Sequence, residues 1–153
     1  MHWLLIGVGL ISAVVLGVVI VGWLLPVQHR ASIATVIQAP PQAVWDIITN
    51  FERIPEWRSG ISAVARLARA AGGEVWQETD RRGESIAYEV TESVPVRRLV
   101  RRIATPDLPF GGSWTIDLDK ATEGTNVRIT ENGEVYNPLF RFISRFIMGT
   151  RQQ

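Results

Sequence analysis

The sequence predicts an α+β domain: an antiparallel sheet, bracketed by short helices and ending in a C-terminal helix, preceded by one transmembrane helix. Three observations carry this prediction. An uncharged apolar run spans Trp3 to Leu25. A proline-bounded helical stretch, Gln38 to Trp57, interrupts the strands early. Alternating segments then follow one another up to Asn137-Pro138, which opens an amphipathic helix.

The apolar run is 23 residues long, and Ser12 is its only polar side chain. As a helix it is about 35 Å long at ~1.5 Å per residue, against a hydrocarbon core of about 30 Å. Trp3 and Trp23 stand near its ends, where indole rings favour the interface. Pro26 ends it. A cleaved signal peptide needs a basic leader and a small-x-small site. Met1-His2 and Leu25-Pro-Val-Gln28 supply neither, so residues 1–26 read as a retained single-pass anchor. Arg30 is the one basic residue near either end, which leans the domain towards the cytoplasm. Gly9, Ala13 and Gly17 share a helix face in the small-xxx-small pattern that favours homodimers. Small residues are also common in membrane helices for no such reason. Residues 27–30 form a short linker, and 31–153 form the domain.

Ser32 to Gln38 alternates as a first strand. Ala39-Pro40-Pro41 stops it, because proline cannot donate to a ladder. Proline suits the first turn of a helix, so a helix is expected from about Pro41 to Thr49, burying Val44, Trp45 and Ile48. Phe51, Ile54 and Trp57 follow at spacings of three and share a face. Strands are expected at 61–69, 74–80, 85–91, 97–104, 113–119 and 125–136, with turns at Ala71-Gly72-Gly73 and Arg81-Arg82-Gly83-Glu84. In the last helix Leu139, Phe142, Ile143 and Phe146 make one apolar face, widened by Phe140 and Ile147.

Four stretches carry a family resemblance: Ile37 to Trp45, Phe51 to Trp57, Leu108 to Thr115, and Glu131 to Phe140. Together they resemble the START-like superfamily, also called SRPBCC or polyketide cyclase/dehydrase-like. The resemblance implies a helix-grip fold, in which the sheet wraps the C-terminal helix and leaves an apolar cavity between them. The family's closing helix typically runs several turns further than this sequence does. A shorter helix covers less sheet, so the cavity is expected to be more open, or closed by the membrane surface or a second copy.

Composition narrows the chemistry. There are no cysteines, which excludes disulfides and thiol catalysis. From Ala31 onward 15 basic residues balance 15 acidic ones, without the basic excess of a nucleic-acid-binding domain. The only histidines, His2 and His29, flank the apolar run, about 40 Å apart at ~1.5 Å per residue, and cannot share a metal. No cofactor or metal is expected.

Parity along the strands selects the site candidates. Val127 and Ile129 mark an inward face that Glu131 shares. Glu131 is then an anchor for a ligand head group, an acid or base, or a rim residue satisfied by an arginine or a backbone N–H. Trp114 and Ile116 share a face with Leu118, and Tyr88 shares one with Ile86 and Val90. With Trp57, Trp76, Phe142 and Phe146 they are candidates to line a cavity for an apolar molecule, against the alternative of ordinary core packing. Arg97, Arg98, Arg101 and Arg102 divide between the two faces and read as a solvated ladder, with Glu89 and Glu92 as cross-strand partners. Arg141, Arg145 and Arg151 suit anionic lipid better. The leading expectation is a membrane-anchored domain that binds an apolar small molecule or lipid. The alternatives are an interaction module with a vestigial cavity, and a cyclase or dehydratase using Glu131 and Tyr88.

Overall fold

The computed structural model describes residues 2–68, 73–143 and 145–146, with side chains from residue 6 onward. The expected turn at Ala71-Gly72 and the residues Ile147 and Arg151 lie outside this set. The elements run α1 (His2–Leu24), β1 (Gln28–Ile37), α2 (Pro41–Thr49), a 3-10 turn (Phe51–Arg53) and α3 (Ile54–Trp57). Then come β2 (Ile61–Leu67), β3 (Glu74–Asp80), β4 (Ser85–Val94), β5 (Arg98–Ile103), β6 (Phe110–Ala121), β7 (Gly124–Val135) and α4 (Pro138–Ile143). One seven-stranded sheet is ordered β1-β7-β6-β5-β4-β3-β2. From β2 to β6 each strand pairs antiparallel with the next. A seven-stranded antiparallel sheet with a C-terminal helix is the helix-grip class.

The chain divides into two compact units, Arg30–Asn132 and Met1–His29 with Gly133–Gln153. In the first, Val44 and Trp45 of α2, Phe51, and Ile54 of α3 form one core with Trp76, Leu99, Leu118 and Val127 from the sheet. Pro41 stands at the first turn of α2, as its missing N–H allows. Burying an aliphatic or Phe side chain of this kind stabilises by roughly 1.5–3 kcal/mol. The β6–β7 hairpin is tied to the start of this bracket. Thr125, fully buried, donates its hydroxyl to the Ala39 carbonyl at 2.7 Å. Gly124 has φ +113°, and a Cβ there would collide with the Ile37 carbonyl, so only glycine fits.

Several boundaries differ from the sequence reading. β1 opens at Gln28, so residues 28–30 of the expected linker are strand. β6 opens at Phe110 and takes in Gly111 and Gly112, which read locally as loop. Pairing with the neighbouring strand overrides that local preference. β4 runs on to Val94, past a register shift between Val90 and Glu92.

In the second unit, α1 is apolar all round. Ile6–Leu24 is long and apolar enough to cross a membrane, and nearly all of it is exposed. α4 packs beside it. Asn137 caps α4, its Oδ1 accepting from the Leu139 and Phe140 N–H groups at 2.9 and 3.4 Å.

Candidate functional site

The register builds one face of the sheet strand by strand. Trp76 on β3 stands opposite Tyr88 on β4, and Glu78 opposite Ile86. Tyr88 stands opposite Ile103 on β5, and Val90 opposite Arg101. Arg101 stands opposite Trp114 on β6, and Leu99 opposite Ile116. Because strand side chains alternate, Trp76, Glu78, Tyr88, Leu99, Arg101, Trp114 and Ile116 all point to the side covered in part by Phe51.

At the centre of this face is a charged cluster. Glu78 is almost completely buried, with 2% of its side chain exposed. One carboxylate oxygen accepts from Arg101 Nη2 at 2.7 Å, and the other from Arg58 Nη1 at 2.8 Å. Arg101 is itself mostly buried, whereas Arg58 is half exposed. The Arg101 guanidinium lies 4.6 Å from the Phe51 ring centre and 4.7 Å from that of Tyr88. Aromatic faces attract such a cation, the more so away from water. Phe51 also meets Trp76 at 5.4 Å, and Tyr88 meets Trp114 edge-on at 5.9 Å. Burial raises the Tyr88 phenol above its ordinary pKa of 10.0, and the Glu78 charge raises it further, against the lowering effect of Arg58 and Arg101. Tyr88 therefore remains a hydrogen-bond donor at neutral pH.

Two buried N–H donors in the cluster, Trp76 Nε1 and Arg101 Nε, lack an acceptor among the described residues. Buried donors without partners are uncommon and costly. The site is thus an apolar, aromatic surface with a small set of convergent polar groups.

Of the residues singled out from sequence, Trp76, Tyr88, Trp114 and Ile116 share this face. Trp57 ends α3 with 55% of its surface exposed, outside the buried core. Glu131 is half-buried on β7. In the sheet order it lies three strands from Tyr88, about 14 Å along the sheet at ~4.8 Å per spacing. Phe142 and Phe146 belong to the other compact unit, where their rings meet at 4.8 Å. Sequence reasoning missed Glu78 and Arg101. The signal was present: Glu78 follows Trp76 by parity, and Arg101 lies midway between Leu99 and Ile103. Arg98 does join the expected ladder, 2.6 Å from Asp117 and 4.0 Å from Glu92. Arg101 does not.

Two open hollows lie elsewhere in the same unit. One, of about 350 Å³, is lined by Val75, Gln77, Ala87 and Thr105, on the opposite face of the sheet. The other, of about 700 Å³, lies between the Gln38–Pro41 turn and the β6–β7 hairpin, with Lys120 and Glu123 on its wall. Neither is lined by an aromatic side chain, and neither includes the charged cluster.

Comparison with known proteins agrees with this architecture. The family described as polyketide cyclase / dehydrase and lipid transport matches residues 28–152. Among solved structures, the di-domain ARO/CYC StfQ from the steffimycin biosynthetic pathway superposes with TM-score 0.62 at 10% identity. That match covers 80% of this chain, which spans only 46% of the di-domain protein. Zhui aromatase/cyclase from Streptomyces sp. R1128 gives TM-score 0.59 at 14% identity, over 71% of this chain and 68% of its own. A START superfamily protein from Mycobacterium smegmatis gives 0.58 at 18% identity, over 70% and 77%. At these identities the likeness is one of fold. No curated protein matches the chain.

Proposed function

The chain belongs to the polyketide cyclase / dehydrase and lipid transport family, and from that premise we propose that it is a membrane-anchored, non-catalytic binder of an apolar small molecule or lipid carrying a hydrogen-bond-accepting group. The observation that carries this reading is the Glu78–Arg101–Arg58 cluster set among Phe51, Trp76, Tyr88 and Trp114. The aromatic surface supplies affinity for an apolar body. The arginines and the Tyr88 hydroxyl supply orientation. Glu78 holds the guanidinium groups in place, which favours a binding surface over a proton-transferring one.

The anchor reading is supported by α1. A core helix buries most of its surface, whereas Leu10, Leu16 and Ile20 are each more than half exposed. Lipid is the medium in which such a helix is stable. The Gly9–Ala13–Gly17 face is open, since a Cβ at Gly9 or Gly17 would meet nothing within 4 Å, which supports reading it as a face for a second copy.

The test is native mass spectrometry of the full-length protein, taken from its membranes in mild detergent, with lipid extraction of the same sample. The expected result is a stoichiometric apolar adduct that disappears in a folded Trp114→Glu variant. A wild-type protein that is consistently empty, or an adduct unchanged by Trp114→Glu, overturns the reading.

A further inference from the structure

The unit built from α1 and α4 contains a second contact that the anchor alone does not require. Gly22 meets the first residue of α4: a Cβ at this position would collide with the carbonyl of Pro138. Three residues into α4, Arg141 is buried although it is charged. Its Nη1 donates to the carbonyls of Leu25 at 2.9 Å and Trp23 at 3.5 Å, and its Nη2 to the carbonyl of Tyr136 at 3.2 Å. The last carbonyls of a helix have no partner within it and carry the negative end of its dipole. Arg141 satisfies them, and so fixes α4 at the last turn of α1.

What α4 then presents outward is apolar. Leu139 and Phe140 are 46% and 54% exposed, as is Phe146 beyond the end of α4 at 54%, and Trp23 and Leu24 at the end of α1 are 73% and 79% exposed. The Gly22–Pro138 approach and the Arg141 hydrogen bonds bring α4 to this exposed apolar end of α1. Trp23 marks the depth at which an indole ring favours the interface. A domain facing water alone gains nothing from exposing Leu139 and Phe140 on so short a helix beside the exposed apolar end of α1.

We infer that α4 forms a second membrane contact: it lies in the bilayer interface on the side of the soluble domain, inserting Leu139 and Phe140, with Phe146 entering beyond its end, while Arg141 is hydrogen-bonded to the C-terminal carbonyls of α1. The inference rests on the anchor reading. Its consequence is that the strand leading out of the sheet, β7, ends in a lipid-bound segment.

The chain has no cysteine, so a single introduced one reports without background. The test uses the full-length protein in vesicles of phosphatidylcholine and phosphatidylglycerol, spin-labelled singly at Leu16→Cys, Phe140→Cys, Phe146→Cys or Arg81→Cys. Oxygen collides preferentially with labels in lipid, and a water-soluble nickel complex with labels in water. The expected result is oxygen-dominated relaxation at positions 16, 140 and 146, and nickel-dominated relaxation at 81. Adding Gly22→Leu, which pushes α4 off α1, is expected to shift position 140 towards nickel while position 16 stays in lipid. Lipid at 16 with water at 140 and 146 overturns the second contact and leaves the anchor intact. Water at 16 as well overturns both.

Discussion

Each of the two units buries an arginine, and they stabilise it in different ways. Arg101 meets a full opposite charge, Glu78, and two aromatic faces. Arg141 donates to backbone carbonyls, two of them at the last turn of α1, where the helix dipole is negative. The first arrangement holds two opposite charges in one place, where a polar ligand can compete for their hydrogen bonds. The second directs the guanidinium donors to carbonyls that hold α4 at the end of α1. On the proposed function, Arg101 serves the binding surface and Arg141 holds α4 to the anchor.

The contrast breaks most visibly at Arg101. Removing one partner of a buried pair leaves the other charge uncompensated, at a cost of ~3–5 kcal/mol. Arg58 stays on Glu78 but is half exposed, so Arg101→Met is expected at the lower end, about 3 kcal/mol by urea unfolding. Adding Glu78→Met removes the stranded carboxylate. The double variant is expected to recover most of the loss, because well-packed apolar groups often replace a buried pair without penalty. A double variant no more stable than the single one would show that the carboxylate is not what Arg101 compensates.

Arg141 is expected to matter less and more locally. Arg141→Met leaves the α1 carbonyls to water or lipid headgroups, at about 2 kcal/mol for a charged donor. That corresponds to roughly 30-fold faster hydrogen exchange in α4, read by mass spectrometry, with the sheet amides unchanged. Faster exchange in the sheet instead would mean that Arg141 supports the whole domain.

The same contrast explains what the sequence disclosed. The bracket was legible because proline position and three-residue spacing act locally, and Val44, Trp45, Phe51 and Ile54 are buried as their pattern required. The aromatic side of the sheet was legible because alternation is a two-residue rule. The cluster was harder to see. Arg98, Arg101 and Arg102 look alike in a list, and only pairing across three strands sets Arg101 against Glu78. Reading Glu131 as the inward carboxylate applied parity to β7 alone, and the same rule on β3 selects Glu78. Arg141 was beyond such rules altogether, since two of its carbonyl partners lie more than 110 residues away in sequence.

The smallest expected effect tests how dry the Arg101 environment is. Burial is the first cause of the raised Tyr88 pKa, and the Glu78 charge is the second. The unfolded phenol ionises near its ordinary value of about 10, whereas the folded one holds its proton to higher pH. Between those two values the native state binds more protons than the unfolded state, so stability falls as pH rises. Below about pH 10 the contribution is complete. Wild-type protein is therefore expected to lose urea stability more steeply than Tyr88→Phe above about pH 10, and in parallel with it below. Parallel curves at all pH values would mean that water reaches the phenol freely. The aromatic face would then be too wet for Arg101 to draw much from its neighbouring rings, and its difference from Arg141 would rest on Glu78 alone.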